Sequence, residues 1–227
     1  MKNKLLSDEQ IMDSWKNNVE PWVSAIQNEE IESRLLVTNQ AILSTIIERA
    51  PKTVLDVGCG EGWLARELVK QGIDVLGVDA VPEFIEYAGK EGVGRFKTLS
   101  YEDLSADVLL EKFDIVVCNF SLLGKDSVYH VFGQVSSILE KNGVFIVQTI
   151  HPIAGCGDDK YEDGWREGSW VGFSKKFCDP APWYFRKLET WKTLFTANGF
   201  RLSEILEPLN PKTGVPASVI FIGLLVD

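Results

Sequence analysis

The chain reads as a doubly wound α/β domain around a mostly parallel sheet. Three observations predict it. Short strand-like runs at residues 53–57, 74–78, 95–99, 113–119 and 144–150 are each separated by one helix-like stretch, and strands joined by single helices form a parallel sheet with right-handed crossovers. The first run opens into a glycine-rich turn, Gly58-Cys59-Gly60-Glu61-Gly62, and then a helix. The 227 residues are 45% hydrophobic, enough to bury the core of one such domain.

The elements follow in order. Residues 7–18 form a polar helix with Ser7 as N-cap and Gln10 completing a capping box. The sequence marks no element over 19–28. A longer helix spans 29–49, its apolar face carried by Ile31, Leu35, Thr38, Ile42 and Ile46, and Pro51 stops it. After the first strand, a helix over 62–71 is closed by Gly72. Helices over 82–90, 102–111 and 126–140 connect the next strands, the last ended by the Asn142-Gly143 turn. Residues 151–186 show no clear period. A helix then spans 187–198, and 202–206 and 218–226 are closing strands.

The charge is −10, from 23 basic and 33 acidic residues. Such a surface repels phosphate backbones, and no basic run offsets it, so nucleic acid is an unsuitable partner. No stretch nears the ~20 apolar residues of a membrane span, and residues 1–10 lack the apolar core of a signal peptide. Four cysteines without a CxxC pair suit a reducing, cytoplasmic setting. A zinc site from His151, Cys156 and Cys178 matches no standard spacing, so no metal is expected.

A strand, a glycine turn and a helix start together make a nucleotide-binding device. The dinucleotide fingerprint GxGxxG fails here, because Trp63 stands where its third glycine belongs and Gly62 comes early. That counts against a nicotinamide-dependent oxidoreductase. The spacing of Asp56 before Gly58, Gly60 and Gly62 instead resembles the first motif of class I S-adenosylmethionine-dependent methyltransferases of the small-molecule type. Further motifs match in order over roughly residues 50–150. Asp79, with Ala80 beyond it, matches the acidic residue that holds both ribose hydroxyls. Ser100-Tyr101 falls where the family places an Asp-Ala-like pair beside the adenine, with Ser100 replacing the usual acid. Asn119 and Phe120 match the fourth motif, next to the methionine end, and 139–144 resembles the turn before the fifth strand. The resemblance implies a Rossmann-like seven-stranded sheet with the last strand antiparallel. It also implies S-adenosylmethionine as donor, S-adenosylhomocysteine as product, and a cofactor site of Asp56, Gly58, Cys59, Gly60, Asp79, Ala80, Ser100, Tyr101, Asn119 and Phe120. The family often closes the donor site with N-terminal helices, which would bring Trp22 and Arg34 to it, the arginine on the donor's carboxylate.

The chain then divides into a helical lid (1–50), a donor-binding core (51–150), a substrate-side insertion (151–186), and a closing helix and strands of the same domain (187–227). Eight of the 24 aromatic residues lie in the insertion. They can line an acceptor pocket or anchor a long loop. His151, at the end of the fifth strand, is a candidate general base, because imidazole titrates near neutrality. Asp163, Arg166, Tyr184 and Arg186 follow as substrate-side residues, the last two in a segment resembling one near the substrate of small-molecule methyltransferases. Asn119-Phe120-Ser121-Leu122 is not the signature of the nucleic-acid amine methylators. The expected reaction is in-line methyl transfer to a small molecule, and the alternative outside catalysis is a module that binds the donor without turning it over.

Overall fold

The computed structural model describes residues 5–90 and 92–226. A seven-stranded sheet carries the fold. Its strands are β1 (Thr53–Val57), β2 (Asp74–Asp79), β3 (Arg95–Thr98), β4 (Phe113–Asn119), β5 (Leu139–Thr149), β8 (Phe200–Leu206) and β9 (Val219–Leu225). They stand in the order β3-β2-β1-β4-β5-β9-β8. The first five neighbours pair in parallel, and β9 runs antiparallel to both β5 and β8. The strand order reverses between β1 and β4, the place where such sheets open a ligand crevice at their carboxyl ends.

Helices cover both faces. On one side α7 (Asp126–Ile138) and α9 (Leu188–Ala197) bury Val128, Phe132, Trp191 and Phe195 against the sheet. On the other, α3 (Asn39–Ile47) and α4 (Trp63–Val69) bury Ile42, Ile46, Leu64 and Leu68. A smaller cluster joins α1 (Asp8–Asn17) and α2 (Val19–Gln27) to α5 (Pro82–Lys90) through Val19, Val23, Val81 and Phe84, with Trp15 and Trp22 against them. Asp8 fixes α1 to the core. Its carboxylate accepts the backbone N–H of Lys125 and of Ser127, both at 2.7 Å, and so satisfies free donors at the start of α7.

Several expectations are corrected. Residues 19–28, unmarked in the sequence, contain α2, which tolerates Pro21 because it falls in the first turn. Ser7 is extended and makes no side-chain capping bond. The helix expected over 29–49 is regular only in part: Arg34–Thr38 is a π turn leading into α3. The extra residue of a π turn rotates the faces, so Leu35 is exposed while Val37 and Thr38 are buried. The helix over 102–111 shrinks to α6 (Ala106–Leu109), ended by Leu110 at φ 60°. The fifth strand begins at Leu139, ahead of a residue, Asn142, also in the left-handed region. In the 151–186 insertion, α8 (Pro152–Cys156) precedes a two-stranded antiparallel ribbon of β6 (Gly164–Arg166) and β7 (Trp183–Phe185).

Candidate functional site

The glycine turn sits between the carboxyl ends of β1 and β2. Gly58, Gly60 and Gly62 have φ of 76°, 55° and 83°, a region other residues enter at a cost. The N–H groups of Gly58 and Cys59 donate to Val78 O at 2.8 and 3.0 Å. Asp79 holds the turn from below: its two carboxylate oxygens accept from Gly60 N and Val81 N, each at 2.9 Å. Ala80 is half-buried between those contacts. Burial pushes the Asp79 carboxyl above its ordinary value, opposed by the N–H groups of Val81, Gly60 and Ala80. Cys59 is buried, and burial pushes its thiol well up.

Tyr101 plays a part the sequence did not suggest. Its side chain lies under the turn, and its hydroxyl donates to Ser121 O at 3.0 Å. Ser121 Oγ in turn donates to Val57 O at 2.7 Å. A Cβ built on Gly58 would fall 2.6 Å from that Tyr101 hydroxyl and 2.4 Å from Ser121 Cβ. Ser100 shapes the same loop: its hydroxyl donates to Asp103 Oδ2 at 2.9 Å and accepts from Asp103 N.

The buried polar atoms with no hydrogen-bond partner among the described residues include Asp56 Oδ2, Asn119 Oδ1 and Arg34 Nη2. Native proteins rarely leave such groups unpaired, so each is an open position for a polar ligand. Asp56 is 1% exposed. Burial, with Glu61 and Asp79 adding like charge, raises its carboxyl to about 8. Phe120, just beyond Asn119, has φ 54°, and its N–H donates to Gln148 O at 2.8 Å. The backbone is therefore turned sharply at the carboxyl end of β4.

Arg34 comes from the π turn. Its guanidinium lies 4.7 Å over the Trp63 ring and 5.9 Å from that of Trp22. Burial lowers it to about 10, with Glu61 opposing the shift. Trp22 Nε1 would stand 3.9 Å from a Cβ on Gly60, so α2 reaches the turn itself. Trp63, the residue that spoils a dinucleotide fingerprint, is thus a shelf for Arg34. Glu61 is 3% exposed and paired with Arg66 at 3.1 Å. Burial raises its carboxyl, while Arg66 and Arg34 oppose. The five-residue spacing of Glu61 and Arg66 was the only sequence signal for that pair.

The insertion is tied to the lid. Asn18, fully buried, donates to Cys178 O at 2.7 Å and accepts from Cys178 N at 2.9 Å. Trp170 donates to the same carbonyl and packs edge-on against Trp15. A cleft of about 530 Å³ lies at this seam, lined among others by Gln10, Asp13, Ser14, Glu167 and Asp179. Tyr184 donates its N–H to Leu123 O and faces Trp165. Arg186 is 2% exposed: it donates to Lys125 O at 3.0 Å and lies among the rings of Tyr129, Tyr184 and Trp191. Asp163 accepts from Lys187 N and Thr190 Oγ1 at the start of α9, and Arg166 donates to Lys160 O and stacks on Phe185. These three therefore brace the insertion. His151 is buried, with Nε2 2.8 Å from Glu207 Oε1. Cys156 bonds Asp159 O, and Cys178 lies at the lid, so the structure does not bring these two to His151 as a triad.

The strand order and the glycine turn define the class I methyltransferase fold. A family model described as a methyltransferase domain matches residues 30–205, and the chain belongs to that family. It is 31% identical over 108 residues to a ubiquinone biosynthesis O-methyltransferase of Haemophilus ducreyi, covering 44% of this chain and 46% of that one. The chain therefore spans about half the length of such curated relatives. An uncharacterized methyltransferase of Anoxybacillus flavithermus is 23% identical over 204 residues, covering 88% of this chain and 93% of the other. Among solved structures, the 1,6-didemethyltoxoflavin-N1-methyltransferase of Burkholderia thailandensis, with bound 1,6-didemethyltoxoflavin and S-adenosylhomocysteine, matches at TM-score 0.65 and 19% identity. That match covers 100% of this chain and 94% of the other, and it bears on the fold alone. Among the described residues, no helix is long and apolar enough to cross a membrane.

Proposed function

We propose that the chain is an S-adenosylmethionine-dependent methyltransferase acting on a small molecule, with S-adenosylhomocysteine as the product. The observation that carries this reading is the left-handed glycine turn held by Asp79, with Trp22 against Gly60 and Arg34, its Nη2 buried and without a hydrogen-bond partner among the described residues, beside Trp22. The donor supplies a methyl group already activated on a sulfonium. The chain's own work is to hold donor and acceptor in line, exclude water and remove a proton where the acceptor carries one.

Gly58, Cys59 and Gly60 let the backbone approach the donor, and Asp56 supports them from β1. Asp79 takes the ribose hydroxyls. An ionised carboxylate offers about four acceptor positions, and the backbone N–H groups of Gly60, Val81 and Ala80 do not use them all. Ala80, Ser100 and Tyr101 border the adenine, while Asn119 and Phe120 meet the methionine end. Arg34, backed by Trp22 and Trp63, holds the carboxylate. His151 is the base. Tyr184 and Arg186 shape the acceptor side, the arginine by holding the Lys125 backbone. The lid–insertion cleft has the volume of a small-molecule site. The net charge of −10 disfavours nucleic acid, and four free thiols suit a cytoplasmic setting.

A titration with S-adenosylhomocysteine and with NADH tests the reading. We expect micromolar S-adenosylhomocysteine binding and none of NADH; the reverse would sink it. Methyl incorporation from labelled donor into a metabolite extract then separates an enzyme from a binding module.

A further inference from the structure

The sheet topology brings two residues distant in sequence to the ligand edge. β5 and β8 run in the same direction, with antiparallel β9 between them. Residues just past both strands therefore emerge at the carboxyl edge, where α/β sheets bind ligands. His151 lies two residues beyond Thr149, and Glu207 directly follows Leu206. There His151 Nε2 meets Glu207 Oε1 at 2.8 Å. The imidazole is 2% exposed and the glutamate side chain 49%. An ionised carboxylate only accepts hydrogen bonds, so beside it Nε2 is the donor, and a neutral ring then keeps its lone pair on Nδ1. Nδ1 is buried and has no hydrogen-bond partner among the described residues. A clamped ring with one free basic nitrogen is the arrangement of a base awaiting a proton.

We propose that Glu207 is a positioning residue that fixes His151 as the Nε2–H tautomer, and that the acceptor is a molecule whose O–H or N–H must be deprotonated as it is methylated. This rests on the methyl-transfer reading above. The acceptor's proton passes to His151 Nδ1. The electron pair it leaves behind forms the bond to the transferred methyl carbon. The bond from that carbon to sulfur breaks, and its electrons stay on sulfur. After the product leaves, the imidazolium gives the Nδ1 proton to water entering the vacated acceptor site, which restores the Nε2–H tautomer held by Glu207. An acceptor that is already a neutral amine would not need this device.

Nitrogen NMR of protein labelled with ¹⁵N-histidine tests the proposal without an identified acceptor. The chain has two histidines, and His130 on α7 serves as the internal control of folding. At pH 8 the wild type is expected to show His151 protonated at Nε2, with a slowly exchanging Hε2 resonance and an unprotonated Nδ1. S-adenosylhomocysteine should shift the Nδ1 resonance of His151 and leave His130 in place. Glu207→Ala should lose the Hε2 resonance and populate both tautomers. Glu207→Gln, whose amide oxygen still accepts, should restore the single tautomer. A wild-type His151 protonated at Nδ1, or a Glu207→Ala spectrum equal to wild type, would overturn the positioning role. An Nδ1 resonance unmoved by bound S-adenosylhomocysteine would overturn the base role. Failure of S-adenosylhomocysteine to bind at all would overturn the methyl-transfer reading instead, while the tautomer still reports on Glu207.

Discussion

Arg34 shows how a residue's surroundings define its use. Its guanidinium is sandwiched near Trp63 and Trp22, and one of its nitrogens is buried without a partner among the described residues. A donor carboxylate would complete it through charge-assisted hydrogen bonds, each contributing about 1.5–3 kcal/mol. Arg34→Ala is expected to weaken S-adenosylhomocysteine binding by roughly 10- to 100-fold. Methylthioadenosine, which lacks the carboxylate, should bind both proteins alike by calorimetry; equal losses for the two ligands would remove the assignment. Asp56 gives a second prediction, on pH. Its folded carboxyl titrates at about 8, against 3.8 as the ordinary value. Between those values the native state binds the extra proton, so stability falls as pH rises and the loss is complete above 8. Asp56→Asn mimics the protonated form. Its melting temperature should therefore gain on the wild type between pH 5 and 9, and parallel curves would show that Asp56 is ionised throughout.

The glycine turn works as an element because nothing larger fits inside it. Gly58→Ala combines a left-handed backbone at φ 76° with a Cβ 2.4 Å from Ser121 Cβ. Strain and overpacking together should cost about 2–5 kcal/mol, or roughly 5–15 °C in melting temperature for a chain of this size. A loss under ~2 °C would mean that the Tyr101–Ser121 support is not rigid. This turn and the strands around it were legible in the sequence, because period, glycine spacing and strand ends all act locally. The lid was less so. Pro21 hides α2, and the π turn moves Leu35 out of the face that a regular helix would give it. Leu110 at φ 60° ends α6 after a single turn, although no glycine or proline marks the place. The partners of His151 and Asn18 were not legible at all. Glu207 is 56 residues from His151, and Cys178 is 160 from Asn18. Those pairings are set by strand order and by the docking of the insertion, neither of which leaves a local periodicity.

At the scale of the molecule, α1, α2 and the segment from Trp170 to Cys178 are joined into one wall. Asp8 ties the wall to α7, Asn18 ties its two halves together, and Trp22 and Arg34 reach the glycine turn. A donor held by Arg34 on the lid side and Asp79 on the core side would bridge the wall to the sheet. Binding then stabilises the whole chain by mass action, by about 2.7 kcal/mol at a hundredfold excess over Kd, or roughly 5–10 °C in melting temperature. Hydrogen exchange should distinguish where that stabilisation acts. With S-adenosylhomocysteine bound, amides of α1, α2 and the segment around Cys178 are expected to slow together, although the Cys178 segment has no place in the proposed donor site, because Asn18 carries the effect across. Asn18→Ala cuts both hydrogen bonds to Cys178 and should leave the lid protected while the 168–179 segment exchanges as it does without ligand. Joint protection in that variant would show that the aromatic contact of Trp15 with Trp170, and not the amide clasp, couples the two.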